Sequence, residues 1–168
     1  MIFYTADLHF GHKNILEYCD RPFQNVNEMN ETLIQNWNNV VTKNDAVYVL
    51  GDMFFYELPA QKQIMKKLNG KKILIRGNHD EVKGSRKDKM KLSDYLEVGW
   101  SEVVLDMLII KNFGLTHDPA LCNIDLSMKW LCGHVHRLFV KQGNVLNVGV
   151  DVHNFTPLNE EQVLKYFY

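Results

Sequence analysis

Short apolar segments in the first half of the chain are each followed by polar residues that could bind a ligand. These segments are residues 2–6, 46–50 and 72–75. Their length and their β-branched and aromatic content predict buried strands. Asp7 follows the first segment, and Asp52 and Asn78 lie just beyond the other two. If the strands are parallel, these side chains meet at one edge of a sheet, where open α/β sheets bind ligands.

Helical patterns separate the three strands and favour that parallel arrangement. Apolar residues at three- and four-residue steps predict a helix over residues 28–41. Shorter helices are predicted over residues 13–19 and 59–68. Crossover connections of this kind are right-handed and place neighbouring strands parallel to one another.

The second half of the chain has short strands with tight connections, which is typical of antiparallel pairing. The strands are predicted over residues 102–105, 108–111, 113–116 and 128–132, with a hairpin over residues 138–148. Asn159 and Gln162 have the spacing of a reciprocal capping box, which predicts a last helix over residues 160–166.

Length and composition restrict the class of protein. The 168 residues fit one domain, residues 1–168, that can bury a core without disulfides. The formal net charge of −1 gives no support to nucleic-acid binding. Three cysteines without a Cys-x-x-Cys pair indicate reduced thiols. Since we find no signal peptide or membrane-spanning segment, we expect a cytoplasmic protein without membrane contacts; the sequence indicates no oligomeric state.

Six of the seven histidines lie within or beside the polar blocks. Any one of them alone would more simply be a structural residue, but together they form a ligand set. The set is Asp7, His9, Asp52, Asn78, His117, His134 and His136. Imidazoles mixed with carboxylates suit Mn²⁺, Fe or Zn²⁺ better than Ca²⁺ or Mg²⁺. Seven ligands are too many for one ion with an open position, and two neighbouring ions need a shared anionic ligand, for which Asp52 is the natural choice.

The order of these blocks resembles the calcineurin-like metallophosphoesterases. The blocks are Asp7-Leu8-His9, Gly51-Asp52, Gly77-Asn78-His79-Asp80, His117 and Gly133-His134-Val135-His136. The chain is most similar to the small single-domain bacterial and phage members. The resemblance implies an α/β fold, a four-layer αββα sandwich of two mixed β-sheets flanked by helices.

The resemblance also implies roles for the residues. One metal ion would take Asp7, His9, Asp52 and His136, and the other would take Asp52, Asn78, His117 and His134. His79 would be a catalytic histidine that binds no metal. The cofactors would be two divalent transition-metal ions, manganese first, with iron, zinc, cobalt or nickel as alternatives.

The implied activity is hydrolysis of a phosphoester, with a diester favoured, by attack of a hydroxide that bridges the two metals. His79 would then protonate the leaving group. A phosphomonoesterase remains an alternative, and so does a non-catalytic metal-binding interaction module. A nuclease is less favoured because of the net charge. The expected partner is a small phosphoester, with a nucleotide as one candidate.

Several residues near the blocks have two interpretations each. The candidates for substrate contact are Asn78, His79, His12, Asn14 and Arg21. For the last three, the favoured interpretation is a structural or surface role. Asp80 either orients His79 or holds a turn. The basic stretch over residues 83–91 either attracts a phosphate-rich substrate or is a solvated helix face.

Overall fold

The computed structural model of the chain describes residues 1–81, 88–111, 113–122 and 128–168. Strands and helices alternate in the first half, as the sequence predicts. These elements are β1 (Ile2–Thr5), α1 (Ile15–Tyr18), α2 (Val26–Val40), β2 (Ala46–Leu50), α3 (Leu58–Lys67), β3 (Lys71–Ile75), α4 (Leu92–Val98) and β4 (Glu102–Val104).

The second half consists mainly of short strands and ends in a helix. These elements are β5 (Met107–Ile110), β6 (Phe113–Thr116), β7 (Lys129–Cys132), β8 (Lys141–Gln142), β9 (Val145–Asn147), β10 (Leu158–Asn159) and α5 (Glu160–Lys165). Two 3₁₀ turns, Pro119–Leu121 and Val150–Val152, lie in the connections.

The strands form two mixed sheets of five strands each. The first sheet has the order β10-β1-β2-β3-β4, with β1 to β4 parallel and β10 antiparallel to β1. The second has the order β5-β6-β7-β9-β8. Side chains of both sheets share one core, in which Tyr4 of β1 packs edge-on against Phe113 of β6 with 5.9 Å between ring centroids. The predicted α/β sandwich of two mixed sheets flanked by helices is confirmed.

A second core lies between the first sheet and its helices. Trp37 of α2 is completely buried there with Met29 and Leu33. These three residues follow the predicted helical steps, and each such burial contributes on the order of 1.5–3 kcal/mol. Helix α2 begins two residues earlier than predicted because Asn25 caps it, accepting hydrogen bonds from the backbone N–H groups of residues 27 and 28, both at 3.0 Å.

The predicted antiparallel pairing is wrong for β4. This strand pairs parallel with β3, and Leu74 lies opposite Val103. The reason is α4, which lies between the two strands and makes one more crossover connection. Such a crossover returns the chain to the same end of the sheet, so the next strand runs in the same direction.

The antiparallel prediction is correct for only part of the second sheet. Strands β5 and β6 pair antiparallel, and so do β8 and β9, which form the predicted hairpin. Strand β7, however, pairs parallel with both β6 and β9. As a result, β6 and β7 end at the same edge, which brings His117 and His134 close together.

The predicted capping box begins the last helix. Asn159 accepts a hydrogen bond from the Gln162 N–H at 2.8 Å, and Gln162 accepts one from the Asn159 N–H at 2.9 Å. Two N–H groups that have no partner within the helix are therefore satisfied, which fixes where α5 starts.

The structure describes the state of the cysteines and the character of the helices. All three cysteines are free and buried, as expected for reduced thiols in a core. In the ranges that the structure describes, none of the helices has the length and apolar character needed to cross a membrane.

The cap of α2 makes a measurable contribution to stability. We expect Asn25→Ala to lower the free energy of unfolding by about 1 kcal/mol, because two backbone N–H groups lose their acceptor. Asn25→Asp keeps an acceptor oxygen and is the matched control, with stability close to wild type. Urea unfolding of the three proteins measures the difference. Equal loss in both variants would show that the cap is not the cause.

Candidate metal centre

The polar blocks that the sequence analysis singled out lie together, where the two sheets meet at the carboxyl ends of their parallel strands. Asp7, Asp52 and Asn78 lie just beyond the carboxyl ends of β1, β2 and β3, which are parallel. Hydrogen bonds tie the loops together, since the Asp7 N–H donates to Gly51 O at 3.1 Å and the Gly133 N–H donates to His117 O at 3.0 Å. The structure therefore brings the seven predicted ligands to one site.

Five of these predicted ligands have left-handed backbone conformations. They are Asp7 (φ 57°), His9 (φ 54°), Asp52 (φ 54°), His134 (φ 70°) and His136 (φ 46°). This conformation costs on the order of 1–2 kcal/mol for each residue other than glycine, so the surrounding structure has to impose it. Strain concentrated in this way is typical of functional sites.

Four of the predicted ligands form a tight cluster, which we call the second donor group because they belong to the second predicted metal ion. It consists of Asp52, Asn78, His117 and His134. His117 Nε2 and His134 Nδ1 each lie 3.0 Å from Asn78 Oδ1 and 3.2 Å from each other. His117 Nδ1 faces the Leu50 carbonyl at 2.7 Å and donates to it, so Nε2 is left for a metal. A proton on one ring nitrogen can join only some of these atoms by hydrogen bonds, whereas a cation among them would contact all three.

The other three predicted ligands, together with Asp52, form a cluster that we call the first donor group. It consists of Asp7, His9, Asp52 and His136. The ligand atoms of Asp7, His9 and His136 all lie within 4.8 Å of one another. His9 Nε2 is buried and has no hydrogen-bond partner among the described residues. A buried polar atom without a partner costs about 1–3 kcal/mol, and a metal ion at this position would satisfy it.

Asp52 belongs to both groups. Its Oδ1 lies 3.6 Å from His117 Nε2, and its Oδ2 lies 3.7 Å from His9 Nε2. One carboxylate therefore directs one oxygen toward each group, which is the arrangement that a bridging ligand between two ions requires. Oδ1 also accepts a hydrogen bond from the His79 backbone N–H at 2.9 Å, which fixes the orientation of the carboxylate.

Asp80 holds the loops that carry these ligands. Its carboxylate accepts hydrogen bonds from three backbone N–H groups, those of Asp52 at 2.7 Å, Gly77 at 2.9 Å and Met53 at 3.1 Å. Of the two roles considered for Asp80, these contacts favour the turn-holding one. The loops after β2 and β3 are thereby fixed relative to each other.

The electrostatics of the site fit a bound cation. Burial, the largest effect, raises the pKa of Asp7 to about 7. Burial and the nearby Asp80 carboxylate raise the pKa of Asp52 to about 7 as well. Burial lowers the pKa of His9 and His134, so both imidazoles are neutral near pH 7, as ligands must be. Metal ions beside the two carboxylates would favour their ionised forms.

Arg21 does not line the cleft, although it is a candidate for substrate contact in the sequence analysis. Its side chain is 0% exposed because it lies beneath the first donor group. Nε and Nη2 donate to the two carboxylate oxygens of Asp151 at 2.8 and 3.0 Å, and Nη2 also donates to the Asp7 carbonyl at 2.7 Å. Nη1 donates to Leu8 O at 2.9 Å. The guanidinium group therefore holds the loop that carries Asp7 and His9.

Asp151 is a residue of the site that the sequence analysis missed. His136 Nδ1 lies 2.8 Å from Asp151 Oδ2, which leaves Nε2 of His136 to a metal. Burial, the largest single effect, lowers the pKa of His136, but the bond to Asp151 together with the contacts to Cys19 and the charge of Asp7 outweighs it, and the pKa rises to about 10. A metal ion bound at Nε2 would therefore displace a proton from this ring. Asp151 follows an apolar run, the same signal that singled out Asp7.

A cleft of about 850 Å³ opens beside the first donor group. His79, His12 and Asn14 line it, so these three candidates for substrate contact face open space. The His12 ring stacks on Phe55 with 3.8 Å between centroids, and Phe55 also contacts the His79 ring at 4.7 Å. His79 is thus held at the cleft with its Nε2 3.8 Å from Asp52 Oδ2.

The predicted basic stretch falls largely outside the described residues. Residues 82–87 belong to the part of the chain that the structure does not describe, whereas Lys89 is exposed. Arg76, which precedes the stretch, forms an ion pair with Glu81 at 3.0 Å. The role of residues 83–91 stays a prediction.

Comparison with known proteins agrees with this fold. The sequence profile of the calcineurin-like phosphoesterases matches residues 1–161. The chain is 36% identical to an uncharacterized protein of Methanocaldococcus jannaschii, over 98% of this chain and 89% of that protein. It is 27% identical to the gene 66 protein of Mycobacterium phage D29, over 95% and 92% of the two chains. The crystal structure of a protein of unknown function from Aquifex aeolicus matches with a TM-score of 0.75 at 23% identity, over 99% and 98%.

The chain belongs to the calcineurin-like phosphoesterase family. The general activity of that family is metal-dependent hydrolysis of phosphoesters, and the donor groups described above suit it. The Aquifex structure is evidence for the fold alone.

The shared carboxylate gives a test of the two donor groups. We expect the wild-type protein to bind up to two Mn²⁺ ions per chain and Asp52→Ala to lose both, because each group loses one ligand and the anion between the ions. Elemental analysis after dialysis measures the metal content. Asp88→Ala removes an exposed carboxylate and is the control. Full occupancy in Asp52→Ala would rule out the bridge.

The contact between Asp151 and His136 gives a second test. Asp151→Asn should weaken Mn²⁺ binding about 10- to 100-fold, because the outer partner of a metal-binding histidine sets its orientation and charge. Titration calorimetry measures the affinity, and Asp88→Asn serves as the matched exposed control. Unchanged affinity in a folded Asp151→Asn protein would mean that His136 does not depend on this carboxylate.

Proposed function

We propose that the protein is a dinuclear metal-dependent phosphodiesterase. The observation that supports this most directly is the pair of donor groups that share Asp52, one carboxylate oxygen facing each. The ligand types favour manganese, with iron, zinc, cobalt and nickel as alternatives. Two such ions would screen the negative charge of the phosphoryl group and make a bound water more nucleophilic. The substrate in this proposal is a small phosphoester.

His79 is the proposed general acid. Its backbone N–H is fixed by Asp52, and its ring lies at the cleft, packed against Phe55. With 31% of its side chain exposed, the imidazole can reach a substrate oxygen. In this role it gives its proton to the departing alkoxide, which would otherwise leave as an unstable anion.

Open space at both ends of the site favours a diester over a monoester. The cleft of about 850 Å³ adjoins the first donor group at His9 and His136. A smaller cavity of about 160 Å³ adjoins the second donor group at His117 and His134. A phosphorus atom held between the groups thus has room for one substituent on each side, whereas a monoester would need only one.

The compartment proposed for this activity is the cytoplasm. The three free, buried thiols support a reducing environment.

Paired substrates test this proposal. The Mn²⁺-loaded protein should hydrolyse bis(4-nitrophenyl) phosphate with a higher kcat/KM than 4-nitrophenyl phosphate, and a chelator should abolish both activities. Preference for the monoester would make the protein a phosphomonoesterase. No hydrolysis of any diester or monoester at full metal content would favour the non-catalytic interaction module.

The acid role of His79 predicts an effect that depends on the leaving group. His79→Ala should keep its metals and lose about 10²–10⁴ in rate on a diester with an alkoxide leaving group. It should lose much less with 4-nitrophenolate, which departs without a proton. Steady-state rates on the two substrates, with metal content measured on the same samples, test this. Equal losses would instead indicate that His79 stabilises the phosphoryl oxygens.

A further inference from the structure

Two segments that line the large cleft carry exposed apolar side chains. Helix α1 forms one wall and carries Tyr18, which is 72% exposed. The loop that follows the ligand His136 forms the other wall and carries Leu138, which is 80% exposed. Single exposed apolar residues are ordinary, but here two of them line one cleft next to the donor groups.

Two residues of the first donor group also line the cleft. His9 and His136 line it, and so does His79. A phosphoester bound at the donor groups would therefore extend its substituent between the two walls. The cleft volume, about 850 Å³, is in the range of pockets that hold whole organic ligands, of the order of 300–1,000 Å³, and exceeds what a phosphoryl group requires.

The two walls are tied to each other. Nη1 of Arg137, on the loop wall, donates to the carbonyl of Cys19 at 3.0 Å and to the carboxylate of Asp20 at 3.3 Å, both just beyond the end of α1. Tyr18 also meets the His12 ring edge-on, with 6.1 Å between centroids. The contacts of Arg137 therefore hold the loop wall against the end of α1.

We propose that Tyr18 and Leu138 form a slot for a flat aromatic base, so that the substrates are phosphoesters of nucleosides. The proposal rests on the phosphoesterase function proposed above. An aromatic ring on one wall and an aliphatic side chain on the other match the two faces of a planar ring. The polar side chains of Asn14 and Asp20 along the same cleft offer partners to the heteroatoms of a base or a sugar.

Binding of two phosphate monoesters to the Mn²⁺-loaded protein tests the slot without any need for turnover. Adenosine 5′-monophosphate and methyl phosphate present the same anion and differ in the nucleoside. We expect the nucleotide to bind at least tenfold more tightly by titration calorimetry, because a stacked base adds its own binding energy. Tyr18→Ala should remove about tenfold of nucleotide affinity and leave methyl phosphate unchanged.

Two variants separate stacking from other effects. Tyr18→Phe keeps the ring and should bind the nucleotide as wild type does. Tyr168→Ala removes a tyrosine that is 92% exposed at the end of the chain and should change neither affinity. A Tyr18→Ala protein that binds the nucleotide as tightly as wild type would overturn the slot.

The outcomes also distinguish this inference from the function on which it rests. Equal affinity of the wild type for both compounds, with phosphodiester hydrolysis intact, would overturn the nucleoside preference and leave the proposed function standing. Failure to bind either compound at full metal content, with no hydrolysis, would overturn both.

Discussion

The close approach of Asp7 and Asp52, two buried carboxylates within a group of imidazoles, is the constraint on which this site depends. Glycines in the neighbouring loops leave the space that this close approach requires. A Cβ atom on Gly77 would lie 2.3 Å from Asp52 Oδ1, and one on Gly133 would lie 2.9 Å from Asp7 Oδ2. Arg21 supplies a fixed positive charge beneath the site, and that charge is paired with Asp151. Bound metal ions would compensate the remaining negative charge of the two carboxylates.

The same constraint explains where the backbone is strained. Five predicted ligands have left-handed backbone conformations. We attribute the inward direction of their side chains to this conformation. Backbone hydrogen bonds between the loops hold this geometry, for example His9 N–H to Asp52 O at 3.0 Å. The buried sheets below provide the rigidity, so stability gained in the core offsets strain at the site.

Much of this arrangement could be predicted from local sequence signals. Asp7, Asp52 and Asn78 each lie just beyond an apolar run, and parallel strands bring such positions together. The cap formed by Asn159 and Gln162 is likewise local. Contacts between distant segments gave no such signal. The ion pair of Arg21 with Asp151 joins residues 130 positions apart, and nothing in the sequence links them.

Strand direction and backbone conformation could not be predicted from local sequence signals either. The parallel direction of β4 follows from the position of α4, and the parallel pairing of β7 follows from long connections on both sides of it. Both depend on how whole segments pack rather than on the residues of the strand itself. Aspartate and histidine adopt left-handed conformations more often than most residues, but the surrounding loops determine which of them do so, and the sequence alone does not identify these positions.

The central claim is that Asp52 lies between two metal ions. Anomalous diffraction from crystals of the Mn²⁺-loaded protein tests this most directly. The account predicts two peaks about 3.5–4 Å apart, one among Asp7, His9 and His136 and one among Asn78, His117 and His134, with a carboxylate oxygen of Asp52 toward each. A single peak, or two peaks that Asp52 does not join, would contradict it.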